Sequence, residues 1–547
     1  MNLFRKKDPS TVSSDEGDGH GGHLNKVLNV RDLTFFGVAA IIGGGTFSAI
    51  GQACHAAGPA VVILYVICAI ACGFTAMCYA EFASRVPVSG SAYTYAYVSF
   101  GELFAWIIGW ALLMEYSIGN IYIAFSWSGY FTNLIPGLPE YLTINYTAAH
   151  SAFLSNTLGE GYSAWTNAPQ IGGLRIIFDL PAVVINILIT ALVFIGTKES
   201  RNISNAMVLV KLVIIVLVIT VGIFHVDIDN WEPFMPNGFT GVMAGVSAVF
   251  FAYIGFDAVS TLAEESKNPQ RDLPRGMIYS LVICTVIYII LALVLTGMVS
   301  YTSLGVSDPL AEIFKSKGIK WMLFIVSIAA VVAMTSVMLV FQMGQPRIWM
   351  SMSRDGLLPK RFASIHPRFK TPGFSTIITG LVVGIPIFFT DENFVLDFTS
   401  IGTLFAFVLV CGGVLTLPRN TDAKVKGKFR MPYVNAKWIV PVITVAGMTL
   451  VFMKASDIFY IVNEEAKTTS FNYPMIIFFF VWASVALFSF IRNYSLIPVL
   501  GVLSCCYLLT GMGWKNWVMF LIWLLIGLAV YLLYGYKNSK LNTQNKT

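Results

Sequence analysis

Long apolar segments alternate with short polar loops along almost the whole chain. A helix of about twenty apolar residues is long enough to cross the hydrocarbon core of a bilayer, and such runs recur throughout the sequence. We predict spans at roughly 34–56, 59–81, 101–131, 174–196, 203–225, 241–264, 276–299, 320–345, 373–390, 395–417, 437–454, 472–491, 494–511 and 514–535. The pattern therefore predicts an all-α polytopic membrane protein with about fourteen transmembrane helices.

The first apolar run contains glycines where a continuous helix is expected. Gly43, Gly44 and Gly45 stand together in the stretch Gly37–Gln52, and each Gly weakens a helix interior by roughly 1 kcal/mol relative to Ala. A broken backbone inside a membrane is tolerated where it is buried in protein or lines a cavity. Its free amides can then hold a carboxylate and its carbonyls an amine. Alternatively, the glycines let a neighbouring helix pack closely.

The sixth run, 241–264, is interrupted in a similar way by Gly255 and Asp257. If the first and sixth spans are both broken, spans 1–5 and 6–10 resemble two halves of one core. Paired interrupted helices at corresponding places in two halves are the sequence signal of a transporter site at a repeat interface. This pairing favours the interpretation of Gly43–Gly45 as a binding site.

Composition and charge support a membrane protein and give its orientation. The chain is 56% hydrophobic and only 12% charged, whereas soluble domains carry about 25% charged residues. Its net charge of +6 therefore needs no nucleic acid as partner. If the N-terminus is cytoplasmic, most Lys and Arg residues fall in cytoplasmic loops, as the positive-inside rule requires. We predict a multi-pass protein of the cell membrane with both termini in the cytoplasm.

The same pattern predicts the domain organisation. Residues 1–30 are predicted to be a disordered tail, because the beginning of the chain is polar and lacks the apolar segment of a signal peptide. A ten-helix core covers 31–419, with halves at about 31–226 and 240–419. Four additional helices occupy 420–536, and 537–547 forms a second tail.

Two ionisable residues lie deep in predicted spans. Lys211 lies eight residues into the fifth span, about 12 Å along a helix. Its side chain either reaches the membrane interface or faces a dry interior, where an ammonium is a candidate proton-exchanging group. Glu115 in the third span is a candidate for substrate contact or coupling, and a polar contact between helices is an equal alternative.

These features together resemble the amino acid–polyamine–organocation superfamily, and most closely its cationic amino acid transporter branch. The resemblance rests on five segments. They are Ala40–Phe47 (AIIGGGTF), Pro87–Tyr95 (PVSGSAYTY), Phe250–Thr261 (FFAYIGFDAVST), Ala263–Pro274 (AEESKNPQRDLP) and Met352–Pro359 (MSRDGLLP). It implies a LeuT-type fold, in which two inverted five-helix repeats place unwound first and sixth helices at the substrate.

The resemblance also implies roles for individual residues. The amides around Gly44, Gly45 and Thr46 would hold the substrate carboxylate. The carbonyls of Ile41, Phe251, Ala252 and Ile254 would take its amino group. Lys211 matches a lysine that replaces a bound sodium ion, so transport would be independent of sodium, with Lys211 and Glu115 as coupling residues. Unlike many relatives, the chain has no hydroxyl or methyl side chain at Gly44. The implied substrate-binding set is Ile41, Ile42, Gly43, Gly44, Gly45, Thr46, Phe251, Ala252, Tyr253, Ile254 and Ser336.

We therefore predict a monomeric secondary active amino acid transporter that cotransports protons and lies in a lipid bilayer. Amino acid exchange is the alternative, and a non-transporting amino acid sensor is a further one. The sequence contains neither an H-E-x-x-H metal site nor a G-x-x-x-x-G-K-[ST] phosphate loop. We accordingly predict no enzymatic activity, cofactor or metal. The expected substrates are small or medium neutral and hydrophobic amino acids, with cationic amino acids as the alternative.

Overall fold

The computed structural model shows a predominantly helical protein, as the apolar pattern predicts. It describes residues 3–7, 26–88, 90–135, 137–155, 159–172, 174–306, 308–390, 392–417, 429–453, 460–463, 468–471, 473–512 and 514–544. The described β-structure consists of two short antiparallel hairpins. One pairs β1 (Gln170–Ile171) with β2 (Leu174–Arg175), and the other pairs β3 (Tyr460–Asn463) with β4 (Thr468–Phe471).

The first half of the chain contains both long apolar helices and short helices. They are α1 (Val30–Ile41), α2 (Ile50–Ala57), α3 (Val61–Arg85), α4 (Ser91–Ser99), α5 (Glu102–Leu134), α6 (Tyr146–Leu154), α7 (Glu160–Asn167), α8 (Leu180–Ile195) and α9 (Thr197–Ile223). A π-helical turn, Gly45–Ala49, leads into α2.

The second half continues in the same manner. Its helices are α10 (Gly238–Ala244), α11 (Val246–Tyr253), α12 (Pro269–Met298), α13 (Pro309–Ser316), α14 (Lys320–Arg354), α15 (Gly373–Gly384) and α16 (Glu392–Thr416). A 3-10 helix, Asp257–Glu265, follows α11. The C-terminal helices are α17 (Ile439–Met453), α18 (Tyr473–Arg492), α19 (Leu496–Leu509), α20 (Trp514–Val530), α21 (Tyr536–Asn538) and α22 (Lys540–Gln544).

Nine helical stretches of the described chain are long and apolar enough to cross a membrane. They are Gly45–Arg85, Glu102–Thr132, Asn202–Ile223, Val246–Glu265, Pro269–Met298, Lys320–Arg354, Phe398–Thr416, Tyr473–Arg492 and Asn516–Asn538. Four apolar helices are shorter: Leu180–Ile195, Gly373–Phe388, Ile439–Thr449 and Leu496–Leu509. The exact count of fourteen spans and the inverted repeat remain predictions.

Burial differs strongly between these stretches. In Val246–Glu265 the most apolar window is 94% buried inside the protein, and in Glu102–Thr132 it is 83% buried. The corresponding figure for Tyr473–Arg492 is only 17%. The interrupted sixth segment and α5 therefore lie at the centre of the bundle, whereas α18 lies at its periphery and presents its apolar side chains outward.

Ion pairs join the ends of the central helices to one another and to the tails. Arg354 at the end of α14 pairs with Glu264 at 2.9 Å, and the buried Arg347 pairs with Glu265. The N-terminal segment 3–7 belongs to the predicted disordered tail, yet Arg5 lies 3.0 Å from the buried Glu102 carboxylate. These residues are held in place by contacts with α5, while residues 8–25 of the predicted tail lie outside the described residues.

Candidate functional site

The first apolar segment is broken at its glycines. Helix α1 ends at Ile41, and Ile42 is extended, with φ −83° and ψ 98°. The chain then turns so that the Gly43 carbonyl accepts hydrogen bonds from the amides of Thr46 at 2.9 Å and Phe47 at 3.0 Å. The interruption predicted from the sequence is present, and it is buried inside the protein.

The sixth segment is broken in a comparable way. Helix α11 ends at Tyr253, and Ile254 is extended with ψ 138°. Gly255 has φ +118°, a left-handed conformation that residues with a side chain rarely adopt. The 3-10 helix begins two residues later at Asp257. Gly255 and Asp257, which interrupt the apolar pattern, therefore mark a true interruption of the helix.

The two breaks lie against each other. A β-carbon built on Gly45 would come within 2.4 Å of the Ala252 Cα atom, and one built on Gly255 would lie 2.6 Å from the Ala40 Cβ atom. Both positions therefore require glycine for close approach of the two chains. The two interpretations of the glycine stretch apply together: these residues allow a break and also close packing.

The other two glycines face different helices. A β-carbon on Gly43 would lie 2.2 Å from Val337 of α14, and one on Gly44 would lie 2.5 Å from Ile123 of α5. The first break is thus enclosed by α5, α11 and α14. Beside it, the rings of Tyr122 and Phe251 meet edge to face, with centroids 4.9 Å apart.

A tyrosine that we did not select from the sequence connects the two breaks. The Tyr288 hydroxyl of α12 lies 2.8 Å from the Ile41 carbonyl oxygen and 2.8 Å from the Ala252 carbonyl oxygen. It also accepts a hydrogen bond from the Thr46 hydroxyl at 3.0 Å. One phenolic proton can be donated to only one carbonyl at a time. Both carbonyls belong to the set expected to take a substrate amino group.

Lys211 lies on the other side of the first break. Its ammonium donates hydrogen bonds to the carbonyl oxygens of Ala39 at 3.0 Å and Ile42 at 2.6 Å, and to the Ser336 hydroxyl at 2.8 Å. The residue is fully buried, so its side chain does not reach the membrane interface in this structure. Three donors meet three acceptors, which joins α9, α1 and α14 at one point.

The remaining members of the predicted set are distributed around these contacts. Phe251 precedes Ala252 at the second break, and its carbonyl oxygen accepts the Ile254 amide at 3.2 Å. The Tyr253 hydroxyl instead donates to the Tyr65 carbonyl at 3.1 Å, so this side chain is directed towards α3. Of the predicted residues, Tyr253 thus contributes its backbone position and not its hydroxyl group.

Glu115 lies apart from Lys211 and from the first break. It lies seven residues before Tyr122, about 10 Å along α5. The Glu115 side chain is fully buried, and its carboxyl group lies close enough to that of Asp257 for the two charges to interact. Asp257, just after the second break, is also fully buried, and neither carboxyl group has a hydrogen-bond partner among the described residues. The structure therefore places two buried acids together, of which we had considered only Glu115 as a site residue.

In the part of the chain that the structure describes, no group of three or more His, Cys, Asp or Glu residues is arranged to hold a metal ion. The polar groups at the breaks are backbone carbonyls and amides, hydroxyl groups, one ammonium and the buried Asp257 carboxyl group. This set can bind a molecule that carries both a carboxylate and an amino group.

Comparison with known families matches almost the whole chain. Residues 28–482 match the model of the amino acid permease family, and residues 494–539 match the model of the C-terminal region of these permeases. The chain belongs to the amino acid permease family. It is accordingly a multi-pass membrane transporter and not an enzyme, as the sequence predicts.

Curated relatives cover the chain from end to end. The branched-chain amino acid permease BcaP of Bacillus subtilis is 37% identical over 542 residues, with 99% of each chain covered. The methylthioribose transporter of the same species is 38% identical over 542 residues, again with 99% of each chain covered. The vacuolar cationic amino acid transporter 2 of Arabidopsis thaliana is 30% identical, covering 98% of this chain and 93% of the relative.

Replacing Gly45 with Ala should disrupt the contact between the breaks, because the new methyl group would overlap the Ala252 backbone. We expect a lower midpoint of thermal unfolding in detergent and a loss of substrate binding. Gly73→Ala in α3 is the matched control, because a β-carbon there meets no atom within 4 Å. Gly45→Ala with wild-type stability and binding would show that the close approach is not required.

Replacing Tyr288 with Phe should leave the Ile41 and Ala252 carbonyls without their shared donor. A buried polar group left unsatisfied costs about 1–3 kcal/mol. We therefore expect a lower unfolding midpoint for the ligand-free protein, measured by scanning calorimetry or fluorescence. Tyr253→Phe is the control, since it removes one hydroxyl in contact with α3. Equal effects of the two substitutions would contradict the bridging role of Tyr288.

Proposed function

We propose that the protein is a secondary active amino acid transporter that works by alternating access and cotransports protons without sodium. The observation that supports this most strongly is the contact between two broken segments, with carbonyl groups of both facing one hydroxyl. Broken helices at mid-membrane are the usual binding elements of secondary transporters. The family supports transport, and the expected fold is fourteen helices with two inverted five-helix repeats.

The proposed substrate orientation follows from the polarity of the backbone at the first break. The amides of Gly44 and Gly45 begin the helical turn that leads into α2, so the positive end of this helical segment faces the carboxylate. The Thr46 amide bonds to the Gly43 carbonyl in this structure and exchanges that bond for the carboxylate when substrate binds. The amino group binds the carbonyls of Ile41 and Ala252, which Tyr288 contacts in this structure. An ammonium has three protons and can serve both carbonyls at once, which one phenol proton cannot.

The proposed coupling role of Lys211 follows from its three contacts. Only the charged ammonium can donate three hydrogen bonds, and a neutral amine donates two. Loss of the proton therefore frees at least one of the Ala39, Ile42 and Ser336 acceptors. The link between α9 and the first break is then weaker. We propose that this change couples proton transfer to movement of α1, and that Glu115 contributes a second protonation site.

The proposed substrates are neutral, hydrophobic amino acids. The side chains around the glycines of the first break, Ile123 and Val337, are apolar, and BcaP is named for branched-chain amino acids. The buried acids Glu115 and Asp257 support a cationic substrate as the second candidate. The methylthioribose transporter shows that a relative of equal similarity is named for a different compound. We propose the cell membrane as location, cytoplasmic termini and a monomeric state.

The function can be tested with purified protein in liposomes. Labelled leucine, isoleucine, alanine, lysine and arginine are supplied separately under an inward proton gradient, an inward sodium gradient or no gradient, with methylthioribose as a competitor. We expect concentrative uptake of leucine or isoleucine under the proton gradient alone. Uptake that requires preloading with an amino acid would establish exchange instead. Substrate binding without movement under every condition would establish a sensor.

Lys211→Ala should abolish uptake driven by a proton gradient, because the variant lacks the group that changes its number of hydrogen-bond donors. Exchange or binding should remain in part, since Lys211 does not contact the carbonyls of Ile41 and Ala252. Thr220→Ala is the control, because Thr220 is on the same helix and, among the described residues, its hydroxyl bonds only to the Val216 carbonyl. Proton-driven uptake by Lys211→Ala at the wild-type level would contradict the coupling role.

A further inference from the structure

The C-terminal helices enclose a groove that plays no part in the proposed transport site. It has a volume of about 620 Å³ and lies between α17, α18 and α19, with Phe239 of α10 contributing to its wall. Its lining is almost entirely apolar, from Val440 and Ile443 on α17 to Leu503 on α19. A groove of this size falls within the range of small-molecule sites in proteins.

Aromatic rings form one side of the groove. The centroid of Phe478 lies 5.6 Å from that of Trp482 and 5.6 Å from that of Tyr507. Gly447 on α17 lies directly against the Trp482 ring, since a β-carbon there would be 2.5 Å from its nearest carbon. The indole nitrogen of Trp482 is buried and has no hydrogen-bond partner among the described residues. The groove therefore has an apolar wall of mutually tilted aromatic rings, with the Trp482 indole N–H beside it.

The groove opens onto the surface that faces the lipid. Two residues of the groove lining are themselves exposed, Ile443 of α17 by 50% and Phe239 of α10 by 55%, which is expected where apolar side chains contact hydrocarbon. In a membrane protein, the molecules next to such a surface are lipids with acyl chains. The continuity between the groove and the lipid-facing surface indicates an acyl chain as its occupant.

Positive charges lie at the end of the groove that is lined by Val440. Lys437 precedes α17, and Arg492 is the last residue of α18, which runs in the opposite direction. The Lys437 ammonium lies 5.6 Å from the centre of the Phe490 ring, and the Trp438 ring meets Phe490 edge to face. Basic and aromatic residues together are typical of the membrane interface, where phosphate groups lie.

We propose that this groove binds one glycerophospholipid, with an acyl chain along α17–α19 and the phosphate group beside Lys437 and Arg492. The site goes beyond the proposed transport function, and its occupancy requires neither substrate nor gradient. One wall residue, Phe239, lies on α10, which leads into α11. A bound lipid therefore contacts the helix that precedes the one carrying Ala252.

Native mass spectrometry of the full-length protein tests this binding directly. Wild-type protein is delipidated in detergent and titrated with phosphatidylglycerol. Ser504→Phe fills the groove from α19, and we expect it to abolish the retained lipid adduct. Ser484→Phe is the matched control, because Ser484 lies on α18 outside the groove lining. Its hydroxyl donates a hydrogen bond to the Phe480 carbonyl of the same helix. Circular dichroism and thermal unfolding confirm that each variant is folded.

The double variant Lys437→Gln with Arg492→Gln tests recognition of the phosphate. Each basic residue near an anionic headgroup contributes about fivefold to affinity, so binding should weaken by that factor per residue. The double variant Lys360→Gln with Arg361→Gln, on an exposed loop elsewhere, should bind as the wild type does. Wild-type affinity in Ser504→Phe would overturn the site. Unchanged affinity in Lys437→Gln with Arg492→Gln would overturn the phospholipid assignment.

Discussion

A helix that breaks inside a bilayer leaves backbone polar groups that only the protein itself can satisfy, because hydrocarbon offers no hydrogen bonds. This constraint explains the arrangement around the first break. Ending α1 at Ile41 frees the last carbonyls of the helix. The Val38 carbonyl accepts a hydrogen bond from the Ile42 amide, and the Ala39 carbonyl accepts one from the Lys211 ammonium. The Ile41 carbonyl lies within hydrogen-bond distance of the Tyr288 hydroxyl. The positions of Lys211 and Tyr288 are therefore consequences of the break.

The same contacts connect elements that are far apart in the chain. Lys211 holds the first break to α9 and to Ser336 of α14, whereas Tyr288 holds it to the Ala252 carbonyl of the second break. Each link depends on a side chain with a fixed number of hydrogen-bond donors, three for the Lys211 ammonium and one for the Tyr288 hydroxyl. A change in protonation at Lys211, or a substrate amino group in place of the Tyr288 proton, therefore changes which segments are joined. In the proposed mechanism, ligand binding and proton binding therefore both act on helix packing through hydrogen bonds to backbone carbonyls of the breaks.

Much of this arrangement could be predicted from the sequence, because the signals are local. Consecutive glycines in an apolar run, and Gly255 with Asp257 in a second run, marked both breaks. The isolated charge of Lys211 singled out this residue in the sequence. The match with the amino acid permease family confirms the predicted family. Local patterns also predicted most of the helical segments, although the short α2 and the long α3 are joined by a 3-10 turn into one continuous stretch, Gly45–Arg85.

Other features could not be predicted, because they depend on contacts between distant segments. Tyr288 is one of many aromatic residues in apolar runs, and only the fold places its hydroxyl between Ile41 and Ala252. Glu115 and Lys211 are ionisable residues that both lie deep in predicted spans. The sequence does not reveal that Glu115 lies near Asp257 and not near Lys211. The hydrogen bond from the Tyr253 hydroxyl to the Tyr65 carbonyl of α3 likewise depends on how the helices pack.

The most direct test of the account is a high-resolution structure of the protein in lipid nanodiscs with bound leucine. We predict that the leucine carboxylate contacts the amides of Gly44–Thr46, that its amino group contacts the carbonyls of Ile41 and Ala252, and that the Tyr288 hydroxyl moves away from at least one of them. Leucine bound elsewhere, with the Tyr288 and Lys211 contacts unchanged, would contradict the claim that the paired breaks form the substrate site.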